Sequence, residues 1–439
     1  MTPNRSPRAP NVSLFIGLWL GLTAVAGIGI FALIYWAIGG FDSSAATAVA
    51  VIPTQSGLPT AAAAGTPAGP VCNFQPAPAS GFGYGIQSHV FVGDNTYFMD
   101  VNRSKLSLQW VKMQLRWNDV EKSAGSYDWG ILDSAISAAC SKGLHIMLSV
   151  VAAPDWTHAN LVPAAESKEA PPDDPAVYAG FLAQLIDRYP GQIAAIEVWN
   201  EMNLDREWNT PAGISAADYV RLLQVSYATI KSKDPSIVVI SGAPSPTGIN
   251  CNGSFPECPP TGRPVVVDDV TYLQQFIAAG GLAYADCVGT HSNGTNLPPA
   301  ADGAHPPADR SGYTFTGPWD NPHYSWALKS QVETYAALLN GQKLQCVTEF
   351  GYASPIDGKY PPNFGFAADI TEQEQGEYLV QAFNWMRDSK LVKLAFLFNL
   401  DYGQKGGDPA TDDSTLYSLI YPNGAPRPAF DVIGAMTKP

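Results

Sequence analysis

The stretches Ile196-Glu197-Val198-Trp199-Asn200-Glu201 and Cys346-Val347-Thr348-Glu349-Phe350-Gly351 decide how this chain is read. Each is a largely apolar run of strand length that leads into a carboxylate. Two carboxylates at the ends of two buried strands are what acetal hydrolysis needs: one donates a proton, the other attacks or stabilises a cationic carbon.

Around these two stretches the chain alternates from Gly81 onward. Runs of strand length at 83–89, 110–115, 145–151, 193–199, 237–241, 287–291, 344–349 and 394–399 are separated by helical patterns, among them 129–142, 177–189, 216–232, 324–339, 372–390 and 427–436. Phe181, Leu182, Leu185 and Ile186 mark one apolar helical face. About eight βα units over roughly 360 residues predict an α/β fold of the (β/α)8 TIM-barrel type. A doubly wound sheet would carry a glycine-rich phosphate loop after its first strand, whereas Gly81-Phe82-Gly83-Tyr84-Gly85 lies before and within it. In the barrel, Glu201 follows the fourth strand and Glu349 ends the seventh, so the two face each other across the mouth. Insertions rich in Pro, Gly and Asn, at 243–268 and 292–321, follow strands five and six and are expected over the C-terminal rim.

Composition narrows the class. The chain has 439 residues and a formal net charge of -14. Such a surface repels phosphate backbones and argues against a nucleic-acid partner. The six histidines form no metal-binding pattern and the six cysteines no metal spacing, so neither a metal nor a cofactor is expected. Residues 12–38 are uncharged and apolar, long enough at about 1.5 Å per residue to cross a ~30 Å hydrocarbon layer. Arg5 and Arg8 precede this run and Asp42 follows it. The expectation is a cytoplasmic segment 1–11, a signal-anchor 12–38 that binds the membrane, an Ala/Thr/Pro/Gly-rich linker 39–80, and an outward-facing catalytic domain 81–439. Cleavage near Ala48-Val49-Ala50 would instead release a secreted protein. Cys251 and Cys258 bracket a loop and are the best disulfide pair. Cys287 and Cys346 are either buried thiols or a second pair.

Trp199-Asn200-Glu201 and Thr348-Glu349-Phe350-Gly351 resemble the acid/base and nucleophile motifs of glycoside hydrolase clan A, the retaining (β/α)8 glycosidases. Within the clan the chain is most similar to family 39, with family 5-like neighbours. Arg116-Trp117, Glu121 and Gly125-Ser126-Tyr127-Asp128-Trp129 extend the similarity on strand two, His291 on strand six, and Arg427-Pro428-Ala429-Phe430 at the last helix. The resemblance spans about residues 81–439. It implies Glu201 as acid/base, Glu349 as nucleophile, Asn200 on the sugar 2-hydroxyl, and Arg116 holding Glu349 ionised. It further suggests His291 and Tyr324 near the nucleophile. Trp156 and Trp319 are candidate stacking platforms. Strand eight ends in Phe398-Asn399-Leu400-Asp401-Tyr402 where many clan members place a Trp; Asn399 or Tyr402 would supply a polar contact in its stead.

The implied activity is hydrolysis of β-linked oligo- or polysaccharides with retention. A silent glycan receptor and a transglycosylase are the rivals. A Schiff-base aldolase would want a lysine at a strand end, and none of the strand ends above has one.

Overall fold

Strand two, Trp110-Val111-Lys112-Met113-Gln114-Leu115-Arg116, explains how the barrel is assembled. Side chains alternate across a strand. Val111, Met113 and Leu115 point outward into the main hydrophobic cluster shared with the helices. Trp110 points inward, beside a floor of Met147, Ala195, Ile240, Cys287, Cys346, Leu394 and Phe396. Lys112 shares the inward face with Trp110, one layer above that floor.

The computed structural model describes Cys72 and residues 81–158, 169–253, 257–259 and 262–439. The expected segments 1–11 and 12–38, and the linker 39–80 apart from Cys72, lie outside these residues. Among the described residues no helix is long and apolar enough to cross a membrane.

Eight parallel strands build the barrel: β1 Gly83–Gln87, β2 Trp110–Arg116, β3 His145–Val151, β4 Ala195–Val198, β5 Val238–Ser241, β6 Val288–Gly294, β7 Gln345–Tyr352 and β8 Val392–Leu397. They run in the order β5-β4-β3-β2-β1-β8-β7-β6. A parallel bridge between Ile240 and Cys287 joins β5 to β6 and closes the ring. Helices α1 Asn95–Ser104, α2 Gly130–Ser141, α3 Pro175–Arg188, α4 Ala216–Lys233, α5 Asp269–Ala278, α6 Leu328–Leu339, α7 Glu372–Ser389 and α8 Pro428–Ala435 follow the strands in turn. The expected (β/α)8 architecture is what the chain adopts.

Two helices escaped the sequence pattern, although each carries its own start signal. Asp94 and Asp268 accept hydrogen bonds from the backbone N–H of Tyr97 and Thr271 and so cap α1 and α5. The helix expected from 324 begins only at Leu328, because Ala327 is extended and Tyr324–Trp326 forms a separate tight turn. Strand β7 runs three residues beyond Glu349, paired with β6 as far as Gly294 and Tyr352. Glu349 therefore sits within a strand and not at its end.

The insertion after β5 does not hang freely over the rim. Cys251–Asn252 and Pro264–Val266 form an antiparallel ribbon. The ribbon and the residues beside it brace the loop that follows β4. Asp205 N–H donates to Val265 O at 2.9 Å, and Val267 N–H donates to Asn203 O at 2.9 Å. Three disulfides are present: Cys251–Cys258 in that insertion, Cys287–Cys346 across the barrel floor, and Cys72–Cys140 tying residue 72 to α2.

The closing seam leaves no room for a side chain at Gly289. A Cβ there would lie 2.2 Å from Ser241 O and 2.9 Å from Ala243 N, both backbone atoms. Gly289→Ala is expected to force β5 from β6 and cost about 1–3 kcal/mol, read as a lower midpoint in denaturant-induced unfolding with an unchanged slope.

Candidate active site

The barrel interior changes character one layer above its apolar floor. Lys112 is fully buried there, with its Nζ 2.7 Å from Glu349 Oε1 and 3.7 Å from Glu197 Oε2. Parallel strands buried on both faces read as apolar runs. A buried lysine among them is tolerable because it pairs with Glu349 and stands near Glu197. Register supplies the next member. His291 of β6 lies beside Glu349 of β7. Its Nδ1 is 3.1 Å from Glu201 Oε1 and 3.9 Å from Glu349 Oε2.

Glu201 reaches this group through a sharp exit from β4. Trp199 has φ 72° and Glu201 φ 40°, left-handed conformations that cost a non-glycine residue energy. The turn sends Trp199 outward, where its indole N–H donates to Glu207 O at 2.8 Å. The N–H of Glu201 donates to Ala243 O at 2.9 Å. Asn203 holds the next turn of the loop, accepting from Ser245 N–H and donating to Ser245 O and Val267 O. Arg206, on the same loop, ion-pairs with Glu201 Oε2, and its Nε lies 3.6 Å from Glu207 Oε1.

The charges set one another. Burial pushes the Glu349 carboxyl up, but the Lys112 ammonium, helped by His291, outweighs it and holds Glu349 below the ordinary carboxylate range. Burial likewise opposes ionisation of Glu201, yet the His291 hydrogen bond and the Arg206 guanidinium bring it down to about 2. His291 is pulled down by burial and raised above its ordinary value by Glu349 and Glu201. Glu207 behaves differently: burial, with Glu169 and Glu201 nearby, pushes it up to about 8.

The expected residues divide into two groups. Glu201, Glu349 and His291 converge. Asn200 is buried beside Glu201, and its Oδ1 has no hydrogen-bond partner. Arg116 does not reach Glu349. It stands at the very end of β2, where its guanidinium pairs with Glu169 and approaches Asp119. Lys112, two turns of the strand alternation earlier, takes the place expected for it. The Tyr324 hydroxyl is near Asp269, and that buried carboxylate together with desolvation drives its pKa far up; no contact joins it to Glu349. Trp319 donates to Pro307 O at 2.6 Å and packs on Tyr313, both within its own insertion. Asn399 is fully buried and spends its amide on loop structure, donating to Ser414 O and accepting from Tyr402 N–H. Trp156, 38% exposed, donates to Glu121 O and keeps part of its ring open at the end of β3.

Lys112, Glu197, Arg206, Glu207 and Glu169 were not foreseen. The signal for Lys112 was its position mid-strand on the inward face, and for Glu197 its place two residues before the kink. A cavity of about 310 Å³ opens at the outer rim near Asp173, Trp208, Asn209 and Arg221. It holds none of the converging carboxylates. Among the described residues no group of His, Cys, Asp and Glu could hold a metal ion.

No protein-family model matches the chain, and no curated protein matches it. Solved structures do. A family 39 glycoside hydrolase from Bacteroides cellulosilyticus WH2 superposes with a TM-score of 0.56 at 16% identity, over 82% of this chain and 65% of its own. Xylanase 10B from Thermotoga petrophila RKU-1, solved with xylobiose, gives 0.52 at 13% identity, over 81% and 93%. The exo-beta-1,4-mannosidase Op5Man5 from Opitutaceae bacterium strain TAV5 gives 0.50 at 12%, over 84% and 61%. The chain spans about two thirds or less of the length of the first and third. The structural neighbours are the clan A glycoside hydrolases that the motifs resemble. At these identities the likeness establishes the barrel, and the chemistry rests on the site itself.

Lys112→Met would leave Glu349 and Glu197 buried without their cation. We expect a loss of about 3–5 kcal/mol near neutral pH. In the wild type Glu349 is depressed, so its contribution is present above the ordinary carboxyl pKa and fades as pH falls through the lower folded value. In the variant, burial of Glu349 is opposed by His291 without Lys112, and this carboxyl protonates more readily. The stability gap should therefore narrow between about pH 7 and pH 4.5, measured by denaturant titrations at each pH.

Proposed function

We propose that the protein is a retaining glycosidase that cleaves β-linked oligo- or polysaccharides, with Glu349 as nucleophile and Glu201 as acid/base. The observation that carries this reading is the pair of buried carboxylates, one from β7 and one from the β4 exit, that share His291 while only Glu349 is bound to Lys112. The two legs to His291 cap the separation of those oxygens at about 7 Å, a bound that takes in the ~5–5.5 Å of retaining enzymes and leaves out most of the ~6.5–9.5 Å inverting range.

In this mechanism Glu349 attacks the anomeric carbon while Glu201 protonates the departing oxygen. Lys112 keeps the attacking carboxylate ionised. Once the glycosyl ester forms, Glu349 no longer carries charge, and Glu201 is free to take a proton from the incoming water. Asn200, with an unspent Oδ1, is the group in line for a sugar hydroxyl. Trp156, with its partly open ring, suits a sugar face. The fully buried Lys112 is out of reach of a carbonyl substrate, which speaks against an aldolase. A transglycosylase would share the first half-reaction.

The same proposal places the enzyme outside the cell, anchored through residues 12–38 or secreted after cleavage. Three disulfides support an oxidising compartment.

The test is digestion of a β-glycan and aryl β-glycoside panel by the full-length chain, with the anomeric configuration of the first product resolved. Retention is expected; an inverted first product would falsify the double displacement. Glu349→Ala should lower kcat by at least about a thousandfold on every substrate. Glu201→Ala should lose about 10²–10⁴-fold on natural glycosides and much less on those with activated leaving groups.

A further inference from the structure

Resting on the assignment of Glu201 as acid/base, we propose that Arg206 is a movable cation shared between Glu201 and Glu207. Its transfer to Glu207, when a sugar fills the leaving-group side, lets Glu201 take up the proton it must donate. The problem it solves is visible in the site's geometry. Glu201 is bound by both Arg206 and His291 and is ionised, at about 2, so it cannot act as an acid there. The leaving oxygen has to reach the Glu201 carboxyl, and the guanidinium of Arg206 engages Oε2 of that carboxyl.

The geometry favours a short transfer. One guanidinium already spans both acids: a terminal nitrogen on Glu201 Oε2, and Nε at 3.6 Å from Glu207 Oε1. The Arg206 side chain is 60% exposed, so packing does not hold it where it is. The receiving residue is held firmly. The Glu207 backbone accepts from Trp199 Nε1 and donates to Leu204 O, and the loop is pinned by Asn203 and by the ribbon after β5. Among the described residues no other cation or hydrogen-bond donor engages the Glu207 carboxyl.

The protons balance. With Arg206 on Glu201, Glu207 holds the proton of the pair, consistent with its value of about 8. With Arg206 on Glu207, that carboxyl releases its proton to solvent and Glu201, desolvated and beside Glu349, takes one up. The guanidinium stays charged throughout, and the pair titrates as a unit. The other charges facing these groups are His291, Glu349 and Lys112 around Glu201, Glu169 with its partner Arg116 beside Glu207, and Asp413 from the loop after β8 toward Arg206.

The experiment is an NMR titration of the glutamate carboxyl carbons in the full-length protein, which needs no substrate. One glutamate should titrate near pH 8 and vanish in Glu207→Gln. Arg206→Gln should raise the Glu201 midpoint by about two pH units or more. If no glutamate titrates above about pH 6, or if Arg206→Gln leaves Glu201 where it was, the shared cation is refuted. On any β-glycoside that the panel shows to be cleaved, Glu207→Gln should shift the alkaline limb of kcat/KM down by about one pH unit or more. Adding Arg206→Gln should abolish that shift. A merely structural Glu207 would lower the rate without moving the limb, which also counts against the proposal. Because the titration stands without turnover, failure of the glycosidase reading and failure of the shared cation are seen separately.

Discussion

A lysine ammonium sealed inside a barrel is the constraint from which the rest of the site follows. Lys112 is fully buried, and its charge has to be met where it lies. Glu349 at 2.7 Å and Glu197 at 3.7 Å meet it from two other strands. The interior therefore cannot be apolar throughout: it is a floor of side chains such as Met147, Ile240 and Phe396, topped by a layer of paired charge. The pairing also sets direction. Glu349 is held on Lys112 by one oxygen, leaving Oε2 toward His291.

The second half of the site is made by a backbone that gives up regularity. β4 ends at Val198, and two left-handed residues within the next three turn the chain. The cost of those conformations is offset by what they permit. Trp199 enters the outer core against Tyr178 and Trp208, and Glu201 is aimed at His291 instead of following the strand alternation. Contacts inside the loop, Trp199 to Glu207 O and Arg206 to Glu201, hold part of this arrangement. The ribbon after β5 does so from outside, through Asn203 and Val267, which gives that insertion a structural task as well as a place at the rim.

The barrel and its two principal carboxylates were legible in the chain because each rests on local pattern: apolar runs of strand length, and Glu201 and Glu349 just where those runs close. The partners were less legible, since they depend on which way a side chain points. Arg116 and Lys112 share the inward face of β2, and only the depth of the layer occupied by Glu349 decides between them. Asn399 and Tyr324 were expected near the mouth from their place in the order of elements. Their actual partners, Ser414 and Tyr402 for one and the Asp269 neighbourhood for the other, are set by loop folding that no periodicity announces. Glu207 was invisible for the same reason: its raised pKa comes from burial and from Glu169, a residue of another loop.

The two carboxylates differ most in what holds them, and that difference matches the role proposed for each. On the proposed mechanism the nucleophile must be ionised before attack and again after the ester is cleaved, and nothing is gained if its partner moves. Lys112, with no exposed surface, is such a partner. The acid/base must change its protonation twice in each turnover, so a partner fixed in the same way would arrest it. Arg206 is largely in solvent and reaches a second carboxylate without leaving its loop. His291 lies between them, and its imidazole is raised by both acids. On the proposed mechanism Glu349 loses its charge to the ester, and one of the two acids that raise His291 then no longer does so. One buried cation on Glu349, one exposed cation on Glu201 and a histidine between both acids give the two carboxylates different surroundings within a few ångströms of each other.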